Sequence, residues 1–191
     1  DTIATLFETG VEPYFKGTWI YDKWTEPTYP VFRLSFLNLD NFSIDEFKSE
    51  LNSKITDFAN KISVKGYVEK SEPENSIEGL LERLREEKRQ IVFLIDEYDY
   101  QLTSNINNDD LYKQFQHKIK RFYANIKNKW AIKFLGITGV TRLKDVEIFS
   151  IGSDIRDITN ASAYSQMIGF TRDEIKKYYI DYLKLASSYE N

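Results

Sequence analysis

Three carboxylates follow an apolar run near the middle of the chain. Asp96, Glu97 and Asp99 come directly after residues 91–95, of which three are β-branched. Such a run is typical of a strand that is buried on both faces of a parallel sheet. In open parallel sheets, ligands bind beyond the carboxyl ends of the strands, where the backbone leaves the core and side chains reach a shared crevice. We therefore expect Asp96 and Glu97 to lie at a site where carboxylates hold a cation or orient a water molecule.

The order of the two acids suggests a division of roles. An apolar strand followed by Asp-Glu resembles the Walker B element of P-loop NTPases, which implies that Asp96 holds Mg²⁺, usually through water, and that Glu97 orients the attacking water. Magnesium keeps several of its waters, so one carboxylate is enough for it. Phosphoryl transfer requires mainly positioning, so a second carboxylate can place the nucleophile. The alternative is an acid that ends a buried strand and merely caps a helix or faces solvent.

A second buried strand is expected over residues 131–138, and polar groups follow it. Thr138, Thr141 and Arg142 lie at its end, and they share the sheet edge of Asp96 if the strands are parallel. A hydroxyl there can hold the attacking water or sense the terminal phosphate, and Arg142 can neutralise charge that develops during transfer. The alternative is that Thr138 caps a turn and that Arg142 pairs with surface acids.

The preceding elements predict how the strands are arranged. A strand is expected over residues 31–37, and a capping box formed by Ser43 and Glu46 begins a helix whose apolar residues recur every three or four positions. A second helix, with apolar residues at helical spacing over 77–84, leads into the strand at 91–95. Strand, two helices and strand in this order require crossover connections. The chain is therefore predicted to be an α/β protein with a largely parallel sheet flanked by helices.

Composition restricts the classes of protein. The 191 residues are 41% hydrophobic and 29% charged, which is typical of a globular chain of one domain or slightly more. The absence of cysteine and the single His117 exclude disulfides and metal sites built from thiolates or several histidines. A net charge of −4 argues against bulk attraction to nucleic acid. The sequence shows no apolar run of membrane-spanning length and no signal peptide, so we expect a cytoplasmic protein and no membrane partner.

Two stretches are candidates for partner surfaces. Residues 111–134 contain seven Lys or Arg and no acid, with Tyr112, Tyr123 and Trp130 interleaved. This basic helix is either a solvated helix face or a strip that faces nucleic acid or another protein chain. The aromatic stretch at residues 13–24 either packs a loop onto the core or stacks on carbohydrate.

Three segments of the chain together resemble a family of AAA-ATPase-like proteins, which often carry a C-terminal nuclease-like domain of the PD-(D/E)XK type. Residues 95–99 (IDEYD) resemble the family's LIDEYD segment, and residues 136–142 (GITGVTR) resemble its LTGVTK segment. Residues 168–171 (IGFT) resemble its CGFTEEE segment. The similarity extends over the whole chain.

The resemblance implies a fold, a ligand and residue roles. It implies a three-layer P-loop NTPase-like sheet of the additional-strand type, with ATP and Mg²⁺ as cofactors. Asp96 would be the acid on the metal side and contact the cofactor, and Glu97 would be the catalytic acid that orients water. Thr138 would be the polar sensor that contacts the nucleotide and assists catalysis. Arg142, the third catalytic candidate, stands where the family often has Lys.

The sequence departs from the family pattern at the phosphate-binding loop. None of the eight glycines belongs to a G-x-x-x-x-G-K-S/T loop, whose amides cradle phosphates and whose Lys meets their charge. In the family this loop would lie just before Asp1, so we expect a part of a longer protein whose sheet is incomplete on the N-terminal side. Residues 1–165 are predicted to form the NTPase-like core, including a short strand at 155–159. Residues 166–191 are predicted to begin a helical lid with a capping box at its start.

The leading hypothesis is an ATP-binding and hydrolysing domain of a larger protein. The alternative is a degenerate, non-catalytic NTPase-like scaffold that binds protein or nucleic acid through the aromatic stretch and the basic helix. A nuclease is poorly supported, because the acid-x-Lys arrangement at residues 86–88 lies in a charged run at the end of a helix.

Overall fold

The structure of the chain is a computed structural model, and it describes residues 1–127, 129–141, 155–164 and 171–189. It divides into two compact units, Asp1–Asp154 and Ile155–Asn191. The predicted boundary lay eleven residues later, at 165, and the function of the second unit as a lid stays a prediction.

The first unit contains a three-stranded parallel sheet. Its strands are β1 (Val31–Ser35), β2 (Ile91–Asp96) and β3 (Ile132–Ile137), in the spatial order β1-β2-β3. The register places Ser35 beside Asp96 and Ile95 beside Ile137. The prediction of an α/β chain with a parallel sheet is confirmed, and the acidic strand β2 lies between the other two strands.

Helices connect the strands, as crossover connections between parallel strands require. The first unit has five α-helices and the second has one in the described residues: α1 (Thr2–Thr9), α2 (Ile44–Lys61), α3 (Pro73–Glu86), α4 (Tyr100–Ser104), α5 (Asp109–Ile126) and α6 (Arg172–Tyr189). Short 3₁₀ helices cover Phe36–Asn38 and Ser162–Tyr164. Among the described helices, none is both long and apolar enough to cross a membrane.

The capping box predicted for α2 is half formed. The Ser43 hydroxyl accepts a hydrogen bond from the backbone N–H of Glu46 at 3.3 Å. The backbone N–H of Ser43 donates to the Asp40 carboxylate at 2.6 Å, so Asp40 occupies the place expected for the side chain of Glu46. The helix nevertheless begins where the sequence predicts, because one of its free N-terminal amides is satisfied by Ser43.

Side chains of alternating strand residues pack on the two faces of the sheet. On one face, Val31, Val92 and the half-buried Leu94 contact α1 through Ala4 and Phe7. On the other face lies the main core, in which α2, α3 and α5 cover the strands. Its members from β1 and β2 are Phe32, Leu34, Ile91, Phe93 and Ile95. The first unit therefore has three layers, and burial of these apolar faces is the main force that holds the sheet in place.

Strand β3 is less buried than the sequence predicts. Phe134 is 40% exposed, although its ring stacks on Phe7 of α1 with the centroids 5.5 Å apart. The cause is the position of β3 at the edge of the sheet, where it pairs with β2 and with no other strand of the described residues. The prediction of a buried strand is correct about the strand and wrong about its burial.

In the second unit, the predicted short strand at 155–159 is wrong. Residues 155–158 are irregular, and the backbone N–H of Thr159 donates to the Asp157 carboxylate at 2.9 Å, a local bond that competes with strand pairing. The predicted capping box of α6 is present. Thr171 accepts from the N–H of Glu174 at 3.2 Å and donates from both its N–H and its hydroxyl to the Glu174 carboxylate at 2.8 Å. These bonds lower the pKa of Glu174.

Candidate functional site

The carboxyl ends of the three strands bring together the residues that the sequence singles out. The Thr138 hydroxyl donates a hydrogen bond to Asp96 Oδ1. The backbone N–H of Thr138 donates to the carbonyl oxygen of Ile95 at 2.9 Å, so pairing continues one residue beyond β3. Both Asp96 and Thr138 are exposed. A carboxylate and a hydroxyl from neighbouring strands thus meet at an edge that ligands can reach.

These two side chains lie on the face of the sheet that α1 covers. Asp96 continues the alternation of Val92 and Leu94, which pack with α1. Thr138 continues the alternation of Phe134, which stacks on Phe7 of α1. The site therefore lies at the carboxyl ends of β2 and β3, on the face of the sheet that α1 covers. The helices α2, α3 and α5 cover the opposite face.

Glu97 follows Asp96 with an unusual backbone. Its φ angle is +53°, in the left-handed region that residues with a Cβ seldom adopt. The Ser35 hydroxyl donates to Glu97 Oε2 at 3.5 Å, and the N–H of Glu97 donates to Asp96 Oδ1 at 3.1 Å. Backbone strain of this kind persists where the surroundings enforce it and is concentrated at functional sites. Ser63 and Lys88 have the same backbone conformation, so the conformation alone does not distinguish Glu97 as functional.

Ser35 is a residue of this edge that the sequence analysis did not select. It ends β1 and lies beside Asp96 in the register, with its hydroxyl near Glu97. The strand predicted at 31–37 places Ser35 inside the strand, whereas β1 ends at Ser35. The sequence therefore gave no signal for a hydroxyl at this strand end, because the end of the strand was predicted two residues too late.

The third carboxylate, Asp99, does not face the ligand edge. It is 2% exposed, and it accepts hydrogen bonds from the N–H of Val140 at 3.2 Å and from the N–H and hydroxyl of Thr141, both at 2.6 Å. The neighbouring Tyr98 is also buried and donates its hydroxyl to the carbonyl oxygen of Thr141 at 2.6 Å. Asp99 and Tyr98 therefore hold the segment that follows β3.

Two amide side chains, Gln101 in α4 and Asn105 just after it, hold the segment that follows β1. Gln101 is fully buried and donates from Nε2 to the carbonyl oxygens of Phe36 at 2.8 Å and Leu39 at 3.1 Å. Asn105 donates from Nδ2 to the carbonyl oxygen of Asn41 at 2.7 Å. The sequence offered no signal for these contacts, because isolated amides in a polar stretch are common on surfaces.

The fit of the site to a magnesium ion depends on water. In the described part of the chain, no group of three or more His, Cys, Asp or Glu could hold a metal. Asp96 is a single exposed carboxylate, and a hard cation that retains most of its waters needs no more than that. The residues present therefore fit a water-mediated Mg²⁺. Arg142 lies outside the described residues.

The basic helix uses much of its charge within the fold. Lys118 Nζ is 2.5 Å from Glu72 and 3.2 Å from Glu74, and Arg121 Nε is 3.1 Å from Glu74. Glu74 is almost completely buried. Hydrogen bonds from Lys118 and then from Lys48 lower the pKa of Glu72. The sequence suggested either a solvated helix face or a partner surface. Neither interpretation predicted that α5 would form ion pairs with acids at the start of α3.

The aromatic stretch at residues 13–24 is partly built into the core. Trp24 contacts Phe7 edge to face at 4.9 Å, and Phe15 is buried. Trp19 is 76% exposed, with Lys23 Nζ 4.7 Å from the centre of its ring. The packing interpretation is thus correct for Trp24 and Phe15, while Trp19 remains at the surface.

Comparison with known proteins gives one relative and one family match. The chain is 27% identical over 180 residues to a protein of Azotobacter chroococcum mcd 1 described as "Uncharacterized protein in vnfD 5'region". The match covers 92% of this chain and 34% of the relative, so the chain spans about a third of the length of that relative. No solved structure matches the chain. The family model described as "Predicted AAA-ATPase" matches residues 1–149, which include all three strands and Asp96, Glu97 and Thr138. The chain therefore belongs to the AAA-ATPase-like family.

Proposed function

We propose that this chain is the core of an ATP-binding and hydrolysing domain of a larger protein, with the sheet arrangement of P-loop NTPases of the additional-strand type. The observation that carries the proposal is the contact between Thr138 and Asp96 at the carboxyl edge of neighbouring parallel strands, with Glu97 beside it. Parallel sheets bind ligands at this edge. The family match supports the general theme of nucleotide binding.

Each residue has a role that its position supports. Asp96 would hold the waters of Mg²⁺, and Glu97 would orient and polarise the attacking water. When bound, the ion neutralises negative charge on the phosphate oxygens. Thr138, which already bonds to Asp96, would sense the terminal phosphate. Arg142 would neutralise charge that develops on the transferred group, as a carry-over from the resemblance alone.

Helix α1 lies on the same face of the sheet as Asp96 and Thr138. The N–H of Tyr29, just before β1, donates to the carbonyl oxygen of Phe7 in α1 at 2.8 Å, and Arg33 of β1 pairs with both Asp1 and Glu8. A ligand bound beside Asp96 would therefore lie on the α1 side of the sheet.

The phosphate-binding loop must come from elsewhere in the protein if the proposal is correct. The sequence contains no G-x-x-x-x-G-K-S/T loop, and β3 has no second partner strand among the described residues. A strand that carries such a loop would pair with the outer edge of β3 and cover the half-exposed Phe134. We propose that the full-length protein supplies both.

Binding and turnover by the full-length protein test the proposal. Calorimetry with ATP and Mg²⁺ should show binding at or below millimolar nucleotide, and hydrolysis should be detectable. Glu97→Gln should suppress turnover by about 10²-fold or more and leave binding nearly unchanged, because only the water-orienting carboxylate is lost. Glu82→Gln is the matched control, since Glu82 is an exposed acid on α3. Absence of binding at millimolar ATP, or full activity of Glu97→Gln, would contradict the proposal.

A second candidate is a non-catalytic scaffold that binds another protein chain or another domain. The exposed Trp19 with its adjacent Lys23 favours it. A partner captured by the full-length protein should then remain bound after combined Asp96→Ala and Glu97→Ala substitution and be lost on Trp19→Ala. Nucleic acid bound through residues 111–134 is less favoured, because Lys118, Arg121 and other cations of this helix contact carboxylates.

A further inference from the structure

The buried acid Asp99 joins the segments that follow two neighbouring strands. Its Oδ1 accepts from the N–H of Val140, and its Oδ2 accepts from the N–H and the hydroxyl of Thr141. Three donors on one buried carboxylate form a strong arrangement, because bonds to a charged acceptor are stronger than neutral ones. At 2% exposure Asp99 cannot itself contact a nucleotide or its metal.

Gly139 makes this arrangement close-fitting. A Cβ atom at Gly139 would lie 2.3 Å from Cε1 of Tyr98 and 2.6 Å from Oδ1 of Asp99, so only glycine leaves room for both side chains. Tyr98 also donates its backbone N–H to the carbonyl oxygen of Thr138 at 3.1 Å and its hydroxyl to that of Thr141 at 2.6 Å. Backbone on both sides of Gly139 is thus held by Tyr98 and Asp99.

We propose that Asp99 is a positioning residue for Thr138: it holds residues 139–141 and thereby keeps the Thr138 hydroxyl against Asp96. This inference rests on the proposed ATPase function of the same edge. Thr138 is exposed and lies one residue beyond the edge strand β3, so packing of its side chain constrains it weakly. A polar group that acts on a phosphate must be held within a fraction of an ångström, and a displacement of about 1 Å can cost about 10²-fold in rate.

The test uses Asp99→Asn in the full-length protein. Asparagine keeps the shape of the side chain but replaces one acceptor oxygen with an NH₂ group, which would face either the N–H of Val140 or the two donors of Thr141. We expect kcat for ATP hydrolysis to fall about 10- to 100-fold, while KM for ATP changes less than about twofold, since Asp96 and the phosphate cradle are untouched.

A paired substitution at Thr141 distinguishes positioning from general stability. Thr141→Val removes the hydroxyl that donates a hydrogen bond to Asp99 but keeps the hydrogen bond from the backbone N–H of residue 141. It should therefore lower kcat less than Asp99→Asn does. Thr141→Ser keeps the hydroxyl and should restore kcat to near the level of the unmodified protein. Thr141→Val also provides the measurement if Asp99→Asn does not fold.

The outcomes separate this inference from the proposed function. If the unmodified protein hydrolyses ATP and Glu97→Gln does not, then full activity of Asp99→Asn overturns the inference and leaves the proposed function standing. Equal losses in Thr141→Val and Thr141→Ser, parallel to their melting temperatures, would also overturn it. If the unmodified protein neither binds nor hydrolyses ATP, the proposed function fails and the positioning role fails with it.

Discussion

Thr138 donates its hydroxyl to the carboxylate of Asp96, a residue 42 positions earlier in the chain. The parallel register of β2 and β3 makes this contact possible, because it aligns the residues that follow Ile95 and Ile137. The pair lies at the carboxyl edge of the sheet, where we propose that the nucleotide binds. Substitutions at this contact can be tested for their effect on ATP turnover separately from their effect on stability.

Thr138→Val should lower ATP turnover by about 10²-fold in the full-length protein, because it removes the polar group that we propose acts on the reacting phosphate while keeping the shape of the side chain. Thr138→Ser retains the hydroxyl and serves as the matched control, with activity near that of the unmodified protein. The melting temperature should change little in either variant, since Thr138 is exposed. Steady-state hydrolysis kinetics would check this, and unaltered kcat in Thr138→Val would contradict the role of the hydroxyl.

Glu97→Gly should stabilise the fold while abolishing turnover. The φ angle of +53° strains any residue with a Cβ, and glycine relieves up to about 1 kcal/mol of that strain. Lys88, at φ +55° after the end of α3, is a control with the same backbone conformation away from the site. Lys88→Gly should raise the free energy of unfolding similarly and leave turnover unchanged. Urea unfolding with parallel kinetics would test the pair, and destabilisation by Glu97→Gly alone would argue against strain.

Glu74→Ala should destabilise the fold by about 2 kcal/mol, because it removes a buried acid that contacts both Lys118 and Arg121, while Lys118 keeps its contact with Glu72. Glu78→Ala provides the comparison: the Glu78 and Lys129 side chains are both partly exposed and 3.2 Å apart, so its loss should cost less than about 1 kcal/mol. Equilibrium urea unfolding measures both differences. Equal effects of the two substitutions would show that burial of Glu74 adds nothing.

Glu72 should make stability depend on pH in the acidic range. Its pKa is lowered from the ordinary 4.5 by hydrogen bonds from Lys118 and Lys48. The unfolded chain therefore binds a proton at this residue more readily, so its contribution is complete above about pH 5 and is lost as the pH falls through the folded-state pKa. Glu72→Gln should be less stable than the unmodified protein at pH 7, and the difference should shrink below about pH 4. Unfolding measured at several pH values, with Glu82→Gln as control, would reveal this, whereas a constant difference would refute it.

Local patterns in the sequence predicted the elements well. The apolar run at 91–95 became β2, and the capping residues Ser43 and Thr171 mark the starts of α2 and α6. These features depend on residues within a few positions of each other, such as a cap and the amides of the first helical turn. The short strand expected at 155–159 does not form, and the cause is again local. The Asp157 carboxylate accepts a hydrogen bond from the backbone N–H of Thr159, two residues later.

The sequence by itself determined the α/β class, the order of the strands along the chain and the acidic end of β2. Only the tertiary structure decided where the third carboxylate of this stretch lies. Asp99 follows Asp96 and Glu97 closely in the sequence, yet it is buried, and its hydrogen-bond donors are 41 and 42 residues away on the segment after β3. The charges of α5 likewise meet acids of α3 more than 40 residues earlier. Such contacts depend on how the elements pack against one another, so the spacing of residues along a single segment cannot predict them.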